Sequence, residues 1–378
     1  MTMGNPRILF ISHSYPPVLG GVESQNYNLA QGLQKLTDVK IIANGKGKVW
    51  LPVFLPITLL KSIFFMMRYD VCLVGNGVLA PVAAILKFLY PRKKFFSVVH
   101  GLDITFSYKN GILPKIYKAI NIPSLKFLDK LFMVGNFTIE VAEKIGIPRS
   151  HCVFIPNGVS LVELRKLHTR DELSELFGSD ITDKKVILRL ARFVPHKGTA
   201  WFIGNVMPRL GKDVVMIAAG YRVGKNTAGD PDNFPDCEQY IWDNHLEDRV
   251  KLLPSISRES IETLLNTVDL VVSPNIHYPG SVEGFGINVI EAAICERVVL
   301  ASSIQGLADA VKDGKNGFLL ESENTDVWVN TLNRLFEKDM VYLENFGKQA
   351  GKFTEENFSW EGISLKYLEE INLCLITK

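Results

Sequence analysis

The sequence predicts an α/β protein made of two successive doubly wound units. Three observations point there: the length, a recurrence of short apolar runs, and a restart of that recurrence halfway along the chain. At 378 residues, and about 150 residues per domain, two or three domains are expected. Hydrophobic residues make up 47% of the chain and charged residues 22%. That balance belongs to globular proteins and excludes a mostly disordered or collagen-like chain.

Runs rich in Val, Ile, Leu and Phe recur at residues 8–11, 39–42, 71–74, 95–99 and 131–134, with helix-length segments between most of them. Continuous apolar strands alternating with helices describe a parallel sheet covered on both faces. The polar stretch 157–183, which carries Gly158 and Gly178, is the expected junction. The series then begins again at 186–190, 214–219, 250–253, 270–272 and 298–301. Residues 324–378 read as helix, with Trp328, Leu332 and Leu335 on one apolar face. No short-period repeat or low-complexity tract is present.

The five cysteines stand at irregular intervals without a C-x-x-C pair, so neither a disulfide framework nor a zinc ribbon is expected. No signal peptide is apparent. A reducing, cytoplasmic setting is the expectation, and the sequons at Asn136 and Asn357 are read as chance. The net charge of +2 conceals a polarity: residues 1–160 carry +11 and the remainder −9. Such asymmetry points to an anionic partner for the first half, a membrane surface or a phosphate-bearing substrate. Residues 50–67 are apolar but interrupted by Pro52, Pro56 and Lys61, and they fall short of the roughly 20 residues that a span requires. The stretch is expected to be a buried helix; the alternative is a helix in a membrane interface, inserting Phe64, Phe65 and Met66 beside Lys61 and Arg68.

In open α/β sheets ligands gather at the carboxyl ends of the strands, so chemistry is sought in the loops there. After the first strand, the loop 13–23 ends in Gly20 and Gly21 ahead of a helical stretch. Glycines let the backbone approach a ligand, and first-turn N–H groups attract anions; a Gly-Gly turn before a helix is also common, and G-x-G-x-x-G is absent. His100 follows the fourth strand, where an imidazole either reaches a sugar hydroxyl or an oxyanion, or is held by a backbone carbonyl. In the second half, Arg192 and Lys197 flank a turn before a helix. They either reach a diphosphate, Arg as a fork and Lys as a point charge, or form a solvated face. Later comes Glu283-Gly284-Phe285-Gly286-Ile287, followed by Glu291. Its glycines allow close approach, and the N–H groups of Phe285, Gly286 and Ile287 open a helix. If the segment between is mostly helical, the two carboxylates lie on the order of 10 Å apart, too far to share a proton.

Taken in chain order, the Gly-Gly-Val-Glu of residues 20–23, His100, Pro156-Asn157-Gly158-Val159, Arg192 and Lys197 ahead of Gly198, Glu283-Gly-Phe-Gly-(x)4-Glu291 and Asp313-Gly314-Lys315-Asn316-Gly317 resemble the retaining nucleotide-sugar glycosyltransferases of family 4. The resemblance covers nearly the whole chain. It implies the GT-B fold: two Rossmann-like doubly wound domains facing across a cleft. The acceptor domain is expected at 1–165, the donor domain at 166–358, and a helix crossing back to the first domain at 359–378. It implies Arg192, Lys197 and His100 with Glu283 as the catalytic set. Arg192 and Lys197 are expected on the phosphates, Glu283 and His100 on the donor sugar, Glu291 on the ribose, and Gly20, Gly21, Gly284, Phe285, Gly286 and Ile287 against the nucleotide.

The expected activity is retaining transfer of a hexose-type sugar from a GDP- or UDP-linked donor to a glycan or lipid-linked acceptor, as in cell-surface polysaccharide biosynthesis. The alternatives are a nucleotide-sugar epimerase and a non-catalytic binder. No metal or cofactor and no nucleic acid is expected; an anionic membrane surface, on the inner face of the plasma membrane, is. Asp230-Pro231-Asp232 resembles a D-x-D metal motif but lies in a Pro/Gly/Asp-rich loop, 229–236, without a preceding strand, and is read as a surface loop. Three positions depart from the family pattern: Ala191 replaces its usual Gly, Glu296-Arg297-Val298 its Gly-x-Pro, and Ser160 its Asp.

Overall fold

The computed structural model describes residues 5–18, 20–108, 111–160, 164, 167–224 and 230–376. It divides into two compact units, Met1–Gly158 with Phe358–Lys378, and Val159–Asn357. The expected junction between residues 165 and 166 lies outside the described residues, as do Leu19 of the glycine loop and Gly229.

In the first unit β1 (Ile8–Ser12), α1 (Gly21–Leu36), β2 (Val39–Ala43), α2 (Leu51–Met66), β3 (Val71–Val74), α3 (Ala80–Leu89), β4 (Lys94–Val99), α4 (Leu102–Thr105), α5 (Ile112–Phe127), β5 (Lys130–Met133), α6 (Asn136–Lys144) and β6 (Cys152–Phe154) follow in order. All strand pairs are parallel, with strand order β2-β1-β3-β4-β5-β6. Every residue of β1 and β3 is buried, which is why these strands carry no polar alternation. Right-handed crossovers place α1 on one face and α2, α3, α5 and α6 on the other.

The second unit repeats the plan with α7 (Arg170–Phe177), β7 (Lys185–Leu190), α8 (Thr199–Asn205), β8 (Val214–Ala219), α9 (Phe234–Asp243), β9 (Val250–Leu253), α10 (Arg258–Thr267), β10 (Leu270–Ser273), α11 (Ile287–Ile294), β11 (Val298–Ser302), α12 (Leu307–Ala310), β12 (Phe318–Leu320), α13 (Thr325–Phe336) and α14 (Met340–Phe358). Its parallel order is β12-β11-β10-β7-β8-β9. Local signals set the helix ends. Thr169 accepts from the Glu172 N–H to open α7, and Gly178, at φ +91, closes it.

The last helix, α15 (Trp360–Ile376), packs on α1 within the first unit, so close that a Cβ on Gly32 would lie 2.0 Å from Ser364 Oγ. Tyr367 is fully buried, its ring 5.0 Å from that of Phe132.

Three sequence expectations change. Each sheet has a sixth strand, β6 or β12, that was not expected; at three residues each they are too short to stand out as apolar runs. Residues 50–67 do form a helix, but α2 is only half-buried: Phe54, Leu55, Leu59, Ile63, Phe65 and Met66 pack on the core, while Val53, Ile57, Leu60 and Phe64 are exposed. The Asp230 loop is half-buried rather than a free surface loop, and Asp230 contacts the site described next.

Candidate active site

Strand order reverses between β1 and β3 in the first sheet, and between β7 and β10 in the second. Crevices form at such switch points, beyond the strands' carboxyl ends.

In the second unit the switch point is occupied by ions. Arg189, on β7, is 1% exposed. It donates to Ser273 Oγ at 3.2 Å, Asn275 Oδ1 at 3.1 Å and the Lys197 carbonyl at 2.7 Å. Burial lowers its pKa to about 10 against the pull of Glu283, so it stays ionised at neutral pH. Lys197 donates to Glu283 Oε2, which also accepts from Asn275 Nδ2 at 2.7 Å. Burial pushes the Glu283 carboxyl up, but the neighbouring Lys197, His196 and the hydrogen bonds outweigh it and hold its pKa at about 2. Lys197 is shifted down by burial, in part countered by Glu283. Lys197 and Glu283 pair, and Arg189 is held by three neutral acceptors within the field of Glu283, so the buried cluster carries one net positive charge whose hydrogen bonds are met.

The backbone holds this cluster in place. Gly198 has φ +70, and a Cβ there would lie 1.8 Å from the Pro274 carbonyl oxygen. The turn of residues 195–197 is thereby seated on the strand end, and the Ile276 N–H donates to His196 O at 3.0 Å. Gly286, at φ +90, caps α11. A Cβ on Gly306 would lie 2.3 Å from Gly284 O, so the glycine turn rests backbone to backbone on the start of α12. The Glu283 N–H donates to Gln305 Oε1 at 2.6 Å, and the Gly306 N–H donates to Glu283 O at 3.0 Å. Gly284, Gly286 and Ile287 donate no backbone hydrogen bond to another described residue, which leaves an anion-receptive helix start.

Of the residues singled out from sequence, the structure brings Lys197 and Glu283 into direct contact beside Gly284, Phe285, Gly286 and Ile287. Phe285 is buried and contributes packing. Arg192 is exposed and makes no ion pair or side-chain hydrogen bond among the described residues. Glu291 is half-buried in the second turn of α11. Because α11 starts only at Ile287, the segment from Glu283 to Glu291 is half helix and half turn, not the mostly helical stretch considered from sequence.

Sequence reasoning missed Arg189, Asn275 and the His196–Asp230 pair. His196 Nδ1 lies 3.2 Å from Asp230 Oδ2, and Ser281 Oγ donates to Asp230 Oδ1. Burial lowers the His196 pKa, with Asp230 opposing. A signal for Arg189 existed: a charged residue inside an apolar strand almost never goes unpartnered. Among the described residues no cluster of His, Cys, Asp and Glu could hold a metal ion.

The first unit's switch point is built from amides and imidazoles. Asn26 Nδ2 donates to Ser12 Oγ at 2.9 Å, Asn44 Nδ2 to the His13 carbonyl at 3.2 Å, and Asn76 Nδ2 to His13 Nε2 at 3.3 Å. His100 Nε2 donates to Gly75 O at 3.0 Å, so the neutral ring presents Nδ1 as an acceptor. Asp103 Oδ2 accepts from the His100 and Gly77 N–H groups at 2.9 and 3.2 Å. Gly20 precedes α1 and Gly21 is its first residue. Gly20 is extended, at φ 162, a conformation open to any residue, so its backbone does not demand glycine.

The family model described as Glycosyl transferases group 1 matches residues 174–353. The chain is 26% identical over 238 residues to a D-inositol 3-phosphate glycosyltransferase of Mycolicibacterium smegmatis, covering 60% of this chain and 49% of that protein. It is 24% identical over 263 residues to an N,N'-diacetylbacillosaminyl-diphospho-undecaprenol alpha-1,3-N-acetylgalactosaminyltransferase of Campylobacter jejuni, covering 68% and 65%. The matches thus span about half to two thirds of these relatives' length. Among solved structures, HepE of Anabaena in complex with UDP and glucose superposes with a TM-score of 0.77 at 19% identity, over 97% of this chain and 100% of that one. Sucrose-phosphate synthase of Thermosynechococcus elongatus gives 0.75 at 15%, over 98% and 100%. The two six-stranded parallel sheets are those of the GT-B fold, and residues 174–353, within the second unit, are similar to the glycosyl transferases of group 1.

Proposed function

We propose that the protein transfers a hexose-type sugar, with retention of anomeric configuration, from a nucleotide-diphosphate sugar to an acceptor received by the first unit. The observation that carries this reading is the buried Arg189–Lys197–Glu283–Asn275 cluster beside the N–H groups of Gly284, Gly286 and Ile287. In this reading Arg192, Lys197 and those N–H groups receive the diphosphate. As the bond to the sugar breaks, negative charge grows on the leaving phosphate, and preorganised donors there lower the barrier without a metal ion. Glu283, kept ionised, accepts from donor-sugar hydroxyls; Glu291 accepts from the ribose. Gly20 and Gly21 border the phosphates, and His100 accepts a sugar hydroxyl through Nδ1. The leaving phosphate takes the acceptor's proton on the same face. UDP is the first nucleotide to test, because the HepE structures contain it; GDP is the second. The undecaprenol-linked substrate in the name of the Campylobacter relative supports a lipid-linked acceptor.

The test is a panel of UDP- and GDP-sugars, with and without lipid-linked acceptor, followed by release of free nucleotide. Glu283→Gln is expected to slow transfer by about 10²- to 10³-fold while calorimetric affinity for the nucleotide holds within a few-fold. Unchanged transfer overturns the assignment. Product formed from donor alone identifies an epimerase, and binding without turnover identifies a non-catalytic binder.

A further inference from the structure

Helix α2 is apolar on both faces: Phe54, Leu55, Leu59, Ile63, Phe65 and Met66 pack on the core of the first unit, and a second apolar row faces outward. Thr58, Ser62 and Met66, one helical turn apart, face the sheet and are buried. Their opposite face carries Val53, Ile57, Leu60, Phe64 and Met67, at spacings of three and four residues, all exposed; Leu60 is 70% exposed and Phe64 54%. The core-facing row accounts for the helix's seat on the sheet but not for the outward row, which stays wet while Thr58 Oγ1 and Ser62 Oγ are buried without a hydrogen-bond partner. The same layer continues the pattern. On α3, which packs against α2, Ile85, Phe88 and Leu89 are exposed, Phe88 at 78%; on α5, which packs against α3, Leu113, Ile116, Ile120 and Phe127 form another exposed stripe. The helices lie side by side on one face of the sheet, so their outward rows make one apolar surface, larger than single scattered apolar residues would produce.

The charges around it are of one sign. Residues 44–128 hold twelve Lys and Arg against two Asp and no Glu. Asp70 pairs with Arg7, and Asp103 is buried. Lys61, Arg68, Arg92, Lys115, Lys118 and Lys126 are exposed without a carboxylate partner among the described residues. Arg68 lies over the Phe64 ring, 5.9 Å from its centroid, and Lys118 over that of Tyr108 at the same distance. An apolar stripe edged by cations whose stems lie along it matches an acyl boundary under anionic headgroups. No helix among the described residues is long and apolar enough to cross a membrane, so the geometry is that of a surface lying on the bilayer. We infer that the outward face of α2, α3 and α5 docks the protein on an anionic lipid bilayer, α2 lying in the interface plane. The inference does not depend on which sugar is transferred, or on transfer at all.

The probe is the full chain floated with vesicles of phosphatidylcholine containing phosphatidylglycerol, against phosphatidylcholine alone. Binding is expected to be more than about tenfold stronger to the anionic vesicles and to weaken steeply with salt. The combined Leu60→Asp, Phe64→Asp and Phe88→Asp variant should lose that binding more than tenfold with an unchanged circular-dichroism melt. Should the variant misfold, the wild type still decides: Trp50, at the start of α2, is expected to be quenched by brominated acyl chains, and Trp50→Phe to remove most of that quenching. Failure of the wild type to float, or an unquenched Trp50, overturns the inference. So does a wild-type dimer that the triple variant splits and vesicles do not, which would assign the surface to a second copy.

Discussion

The two sheets share a topology and differ in what stands at the reversal of strand order. In the second unit the crevice wall is ionic, with Arg189, Lys197 and Glu283 buried together. In the first it is mostly uncharged, with Asn26, Asn44, Asn76, His13 and His100 making hydrogen bonds and the single Asp103 carboxylate spent on backbone N–H groups. The difference shows how one scaffold presents two kinds of surface. Buried ions hold a preset field for a charged group, at a desolvation cost that only mutual pairing offsets. Amides and imidazoles offer both donors and acceptors, suited to hydroxyls, and their loss costs less.

The largest expected break in the comparison is Lys197→Ala. It strands the Glu283 carboxylate in the interior and should destabilise the second unit by about 3–5 kcal/mol, seen as faster amide exchange in peptides of β7 and β10 with β1 and β3 unaffected. Gly198→Ala comes next. Its Cβ would overlap the Pro274 oxygen, and the left-handed backbone adds strain of roughly 1–2 kcal/mol, so exchange should rise in the same peptides.

Acid sharpens the contrast further. The Glu283 pKa is depressed from 4.5 to about 2 in the fold, so its contribution is present above pH 4.5 and lost as pH falls toward 2. Exchange measured across that window should quicken in β10 of the wild type, and Glu283→Gln should flatten the profile. In the first unit, Asn76→Ala should cost only about 1 kcal/mol, measured by the same exchange in β3.

The smallest effect is a gain. Glu296 occupies φ +61 where the resembled family has glycine, and Glu296→Gly should raise stability by about 1 kcal/mol, measured by urea denaturation.

How much was legible in the sequence follows from the range of each interaction. The long buried strands were readable because burial on both faces writes a continuous apolar run, and 284–286 because close backbone approach writes glycine. Arg189 was not assigned a role, since its partners Ser273 and Asn275 lie more than eighty residues away and only β7–β10 pairing brings them together. Asp230 was misjudged for the same reason: its loop looks polar until His196 and Ser281 close on it. The apolar run at 50–67 announced a helix but not its orientation. With large side chains on nearly every side, no periodicity names the buried face, and the small Thr58 and Ser62 settle it by allowing close approach to the sheet.

The seat of α15 on α1 has a consequence for synthesis. The second unit is one uninterrupted stretch of chain, whereas the first needs residues 358–376 to complete its core. At about 5–20 residues per second on the ribosome, roughly 200 intervening residues separate the opening strands from their closing helix by some 10–40 s. The half of the molecule that emerges first is therefore finished last, and meanwhile Phe132 and the α1 surface beneath Tyr367 stay uncovered, the interval in which a chaperone would find this protein.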